Sequence, residues 1–254
     1  MRCVRFILML LAFPAAIAAQ GLSEDQWRQD LRVFAEGLES RHPNLYHTVP
    51  EPVFRAGVDS LAAQAGSLDD NEITVELARL LATVGDGHTL VNLLWDRQLF
   101  FRRLPVRIDR AEDGLLVVEA SADFMDLIGA RVLRVGRVTA EDAFDAVRPF
   151  MSHDNEWTPL MATDLLQVPE ILQATGISPA ADSVALQVRT ASGEQRNVVL
   201  PATAREALGP LHTGRGRRRA SLAPGPRRSL LARRHEEAAG RLRAVQRGRF
   251  GQAR

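Results

Sequence analysis

The sequence predicts an α+β fold in which helices come first, strands follow, and an arginine-rich tail joins neither. Three observations predict it. Apolar residues recur at helical spacing up to about residue 84, two-residue alternation takes over beyond that point, and periodicity of either kind stops near residue 205. At 254 residues the chain can form one large domain or two small ones.

Ahead of the first helix, Arg2 and Arg5 form a basic n-region, Phe6 to Phe13 an apolar core, and Ala16-Ile17-Ala18 a small-x-small cleavage site. This pattern predicts a signal peptide over residues 1–19 and export to the periplasm or the extracellular space. A retained anchor is the alternative, but the apolar run is shorter than the about 20 residues needed to cross a hydrocarbon layer. No second long apolar run follows, so no membrane span is expected after cleavage. The only cysteine, Cys3, leaves with the signal, which excludes disulfides, a thiolate nucleophile and cysteine metal sites from the mature chain. All 32 basic residues are Arg, so lysine bases and Schiff-base chemistry are excluded as well.

A helical bundle is expected over residues 20–88. Ser23 and Gln26 form a capping box, and Trp27, Leu31, Phe34 and Leu38 follow on one face until His42-Pro43-Asn44 stops the helix. A second helix starts at Pro52 and buries Phe54, Val58 and Leu61. A third starts near Asp70 with Ile73, Leu77, Leu80, Leu81 and Val84 as its stripe, and Gly85 ends it.

Strand signals then dominate residues 89–203. Thr89 to Leu94 and Leu104 to Ile108 read as extended, Asp113-Gly114 as a turn, and Leu115 to Ala120 as a further strand. Val132, Leu133 and Val135 lie in a short strand, and Thr139 with Asp142 caps a helix bearing Ala143, Phe144 and Val147. Residues 149–182, punctuated by Pro149, Pro159, Pro169 and Pro179, read as an irregular insertion with helical pieces. A hairpin closes the region, with Val184, Leu186 and Val188 going out, Ser192-Gly193 turning, and Val198 and Leu200 returning.

Residues 204–254 read as a disordered tail. From 209 onward, 13 Arg, 7 Ala, 7 Gly and 3 Pro make up most of the sequence against two acids, Glu236 and Glu237. Such a segment buries too little apolar surface to offset an ordering cost of roughly 1–2 kcal/mol per residue. The composition is that of a GC-rich gene read out of frame. The charge would bind polyanions nonspecifically, but without interleaved aromatics it predicts no specific nucleic-acid partner.

Four stretches in order carry a family resemblance: Arg41-His42-Pro43-Asn44-Leu45-Tyr46, Gly85-Asp86-Gly87-His88-Thr89, Leu104-Pro105-Val106 running into Asp113-Gly114-Leu115, and Gly129 to Gly136. Over residues 22–203 the chain resembles the amino-terminal part of tail-specific (C-terminal-processing) serine peptidases, particularly exported, tricorn-like members. The resemblance implies a PDZ-like β domain over 89–203, peptide or unfolded protein as substrate, and no cofactor. It makes His88 the general base, for which a pKa of about 6.5 suits it, with Asp86 as a possible orienting residue. The family's nucleophilic serine would lie where this sequence has its tail. Ser221 and Ser229 are the serines there, neither beside an apolar strand or a glycine elbow, so the chain reads as the noncatalytic portion of such a peptidase. An exported peptide-binding adaptor without chemistry is the competing reading. Gly-Asp-Gly-His-Thr can equally be turn chemistry, with His88 bonded to local backbone. His42 and His47 lack helical spacing and a third ligand, so no metal site is expected. Trp27, Trp95 and Trp157 read as packing residues, and Asn44 and Tyr46 as a lock between the bundle and the strands.

The basic, apolar and small-residue order predicts cleavage after Ala18 or Ala19. Mass spectrometry of the periplasmic or secreted product should give a chain that begins at Ala19 or Gln20. An intact Met1-containing chain in the soluble cytoplasm would contradict export.

Overall fold

Helix α1 (Glu24–Arg41) opens with the expected reciprocal cap, in which the Ser23 hydroxyl accepts the Gln26 N–H and the Gln26 side chain accepts the Ser23 N–H. The computed structural model describes residues 21–94, 96–112, 114–152 and 158–213. The signal region, Trp95, Asp113, Trp157 and the tail from Gly214, with Ser221 and Ser229, lie outside the described residues.

Helix α2 (Glu51–Gln64) carries its proline in the first turn, where the missing N–H costs no intrahelical bond. Helix α3 (Asp70–Ala82) begins with a second reciprocal cap between Asp69 and Glu72. The three helices enclose a core built on Leu31, Phe54, Leu61, Ile73 and Leu81, with Leu45 and Val49 added from the loop after α1. Trp27 packs against this core while its indole N–H donates to Asp70 at 2.7 Å, which ties α1 to the start of α3.

Helix α3 is apolar on a second side. Val75 and Ala78, which lie outside the stripe read from the sequence, join a larger core with the sheet. That sheet is antiparallel and contains β1 (Val106–Ala111), β2 (Gly114–Ala120), β3 (Arg131–Val135), β5 (Ser183–Arg189) and β6 (Gln195–Pro201) in the order β1-β2-β3-β5-β6. Short β4 (Val138–Thr139) pairs with β3, and helix α4 (Ala140–Val147) follows, capped by the Thr139 hydroxyl on the Asp142 N–H. Alternate residues Val106, Ile108, Leu115, Val117, Val132, Val184, Leu186 and Val188 point inward and are buried. Helices with an antiparallel sheet make the fold α+β, as expected.

The register shifts opposite Arg107/Ile108, where Val118 of β2 is the extra residue, and between Val132 and Arg134 on β3. Such irregularities bend and twist strands. The chain before β1 thereby meets the chain after β6: Arg103 and Thr203 exchange both backbone hydrogen bonds, at 2.8 and 2.9 Å. The outer strands of the sheet are thus joined at one corner.

Three expectations need correction. Residues 89–94 form no strand; the Thr89 and Leu93 N–H groups bond locally to Asp86 and Val91, so Leu93 and Leu94 fill the core from a loop. The stretch 149–182, read as an irregular insertion with helical pieces, places those pieces in the core. It holds α5 (Thr158–Leu165) and α6 (Pro169–Ala174), and Leu165, Leu166, Val168, Ile171 and Leu172 are each at most 1% exposed. Pro159 and Pro169 start helices rather than interrupt them, each sitting in the first turn, of α5 and of α6, and α6 packs against α3. Beyond 203, β7 (His212–Thr213) pairs with Glu119 and Ala120 of β2, so regular pairing extends past the expected boundary. Two backbone pairs need no apolar side chain, which left β7 without a sequence signal.

Replacing Ile171 with Ala should destabilise the fold by about 2–5 kcal/mol, whereas Val199→Ala on the 63%-exposed side chain of β6 should stay within roughly 0.5 kcal/mol. Urea unfolding of both variants checks this, and equal effects would return 149–182 to the periphery.

Candidate functional site

The site is built where the chain leaves α1 and where it leaves α3. At the first exit, His42 ends α1 in an extended conformation, its N–H still bonded to the Leu38 carbonyl. At the second, Gly85 takes a left-handed φ of 76°, and a Cβ there would lie 2.6 Å from the Thr48 hydroxyl. Conformation and space together demand glycine. The two exits meet at Asp86.

Asp86 collects three donors. One carboxylate oxygen accepts the His88 N–H at 3.0 Å; the other accepts the Thr89 hydroxyl at 2.8 Å and lies 3.3 Å from His42 Nε2. The His88 N–H, the Thr89 hydroxyl and then His42 favour the charged form and pull the Asp86 pKa down to about 2.

The three nearby histidines differ. His42 is nearly buried, and its Nδ1 accepts the Asn44 N–H at 3.2 Å. That bond puts the proton of the neutral ring on Nε2, which donates to Asp86. His47 stacks on His42 with centroids 6.4 Å apart and planes within 4°, and its Nδ1–H donates to the Asn44 carbonyl at 2.8 Å. With three of their four ring nitrogens committed, these two histidines offer no converging lone pairs. Among the described residues no group of three or more His, Cys, Asp or Glu is arranged to hold a metal. His88 differs: its side chain is fully exposed, and Nδ1 lies 3.7 Å from Asp86, beyond hydrogen-bond reach.

Asp86 therefore orients the imidazole of His42 directly and places His88 through its backbone. The sequence reading paired Asp86 with His88 and missed the His42 contact; the shared resemblance of both motifs was the available signal, but their separation hid the meeting. Asn44 and Tyr46 also act differently from expectation. Tyr46 donates to Glu39 of α1 at 2.5 Å and packs edge-on to Phe54 of α2, so it holds the loop within the bundle, not to the strands. Burial and the Glu39 carboxylate raise the Tyr46 pKa. A second feature without a sequence signal is Phe100, 86% exposed and held at a φ of 53°.

No protein-family model and no curated protein matches the sequence. Among solved structures, the chain is similar to a mutant of CPAF at 15% identity and a TM-score of 0.51, over 74% of this chain and 35% of that one. Mature CPAF aligns at 15% identity and a TM-score of 0.45, over 75% of this chain and 36% of that one. Mature CPAF complexed with lactacystin aligns at 17% identity and a TM-score of 0.43, again over 75% and 36%. CPAF is a chlamydial serine protease of tail-specific-protease-like type, and the relationship is a distant one of fold. The chain spans about a third of the length of these solved chains.

Because its folded-state pKa is depressed, Asp86 contributes stability that is complete above the ordinary carboxylate value near 3.8 and lost as pH falls towards about 2. Asp86→Asn should lower the melting temperature at pH 7 and flatten its decline between pH 4 and 2. Parallel wild-type and variant curves across that window would show that the carboxylate charge contributes nothing.

Proposed function

We propose that this chain is the noncatalytic amino-terminal portion of an exported serine peptidase related to the tail-specific proteases. The observation that carries this reading is the fold shared with CPAF over 74% of the chain. The order of the motifs at 41–46, 85–89, 104–115 and 129–136 supports it independently of the fold.

In this reading the sheet with its helices is the PDZ-like domain and the helices before it are the bundle. Peptide or unfolded protein is the substrate class. His88 is the general base, and its exposure leaves the ring open to a hydroxyl brought from elsewhere. Asp86 is a positioning residue that fixes the loop through the His88 N–H. The nucleophile lies outside residues 21–213. A base alone performs no acyl transfer, since the attacking oxygen and the oxyanion donors must converge on the same carbonyl. The competing reading, an exported adaptor that binds peptide without cleaving it, fits the described residues equally, because in both readings no serine among them serves His88.

The purified chain should neither cleave an unfolded protein nor react with a fluorophosphonate probe, and probe labelling would overturn its noncatalytic status. Joined to the downstream coding region in its alternative frames, one fusion should hydrolyse unfolded protein. His88→Ala in that fusion should then cost roughly 10²–10⁴-fold in rate without moving the melting temperature, because the ring is fully exposed. Failure of both fusions to react would favour the adaptor.

A further inference from the structure

The turn around Asp86 meets two histidines, and the one without a role in the peptidase reading is the better anchored. His42 ends α1 with its N–H on the Leu38 carbonyl, its Nδ1 accepts the Asn44 N–H at 3.2 Å, and its side chain is 10% exposed. His47 stacks on the ring with planes within 4°. None of these contacts involves Asp86. The Asp86 side chain is 33% exposed, and it follows Gly85 at a left-handed φ of 76°. What holds the side chain is its carboxylate with three donors.

The bond through which Asp86 orients the His42 ring therefore acts in the other direction as well. His42 is the fixed member, and Asp86 is the member that is held. One carboxylate oxygen lies 3.3 Å from His42 Nε2 and accepts the Thr89 hydroxyl, while the other accepts the His88 N–H at 3.0 Å. A carboxylate is planar, so holding its first oxygen sets where the second one points. Thr89 belongs to the same turn as His88 and moves with it. His42 lies 44 positions from Asp86 and is the donor that ties the turn to α1.

The geometry also separates the two rings by role. An imidazole beside a carboxylate resembles a general base with its orienting acid, but such a base needs its far nitrogen open to a hydroxyl. In His42 that nitrogen, Nδ1, is taken by the Asn44 N–H. His88 keeps a fully exposed ring.

We infer that His42 is a positioning residue: by holding one oxygen of Asp86 it fixes the other on the His88 N–H, and so sets where the His88 ring projects. That the ring so placed is a general base rests on the peptidase reading; the hold of His42 on it does not.

The test is amide hydrogen exchange of the full chain, followed residue by residue by NMR, in the wild type and three variants. His42→Gln carries an amide N–H close to the place of Nε2 and keeps a donor for Asp86. His42→Asn reaches only as far as Nδ1, and His42→Leu fills the space without any donor. Exchange of the His88 N–H should be roughly tenfold faster in His42→Asn and His42→Leu, and within about threefold of wild type in His42→Gln. The N–H of Leu61, buried in α2, reports general loosening and should change equally little in His42→Gln and His42→Asn. If His42→Leu does not fold, the contrast between Gln and Asn decides. In the active fusion, His42→Asn should lower kcat several-fold with KM unmoved, because the base is displaced and the substrate surface is not, and His42→Gln should recover the rate. Unchanged exchange at His88 in His42→Asn and His42→Leu would overturn the assignment, as would equal acceleration at His88 and Leu61 in all three variants. Donor-dependent exchange at His88 together with an inactive fusion would support the positioning and remove the base, so the two readings fail separately.

Discussion

Helix α3 has to satisfy two cores at once. Ile73 and Leu81 belong to the core of the three helices, whereas Val75 and Ala78 belong to the core under the sheet, where α6 packs against the same helix. A helix apolar on two sides is stable only between two partners, so the helices and the sheet must fold against one another. The carboxy-terminal end of α3 is consequently held from both sides. Whatever chain leaves it starts from a fixed place.

That fixed exit explains how a short loop can be held in one conformation. Gly85 makes the turn that a side chain would block, and Asp86 spends its charge on the His88 N–H, the Thr89 hydroxyl and His42. An ionised carboxylate with three donors is a strong local organiser. It joins the ends of α1 and α3 and leaves His88 projecting into solvent. The two histidines thus differ: the nearly buried one holds the loop through its ring, and the exposed one is held through its backbone N–H alone.

The sheet solves a different problem. Its outer strands are joined by the exchange between Arg103 and Thr203, and the register shifts leave an extra residue on β2 and on β3, which bends those strands. This arrangement brings two guanidinium groups to the Leu94 carbonyl, where desolvation of the charge is costly. Glu170, buried against Arg102, gives α6 a polar anchor in the same neighbourhood. Stability and charge are therefore in tension at the corner, unlike the Asp86 turn, where they agree.

Features governed by neighbours in the chain were legible from the sequence alone. The Ser23 and Thr139 caps, the left-handed Gly85, the hairpin turning at Gly193 and the α+β order all follow from local propensity and periodicity. The resemblance also drew attention to the Asp86 loop, whose turn geometry is local. Features that need partners distant in the chain were not legible. Residues 89–94 alternate like a strand yet have no ladder to join, and four prolines hid the buried helices of 149–182. Pairing of Asp86 with His42 spans 44 positions, and that of Arg103 with Thr203 is made by backbone. Periodicity records which side chains want to leave water. It does not record which surface receives them, and only the packing of α3 between two cores decided that.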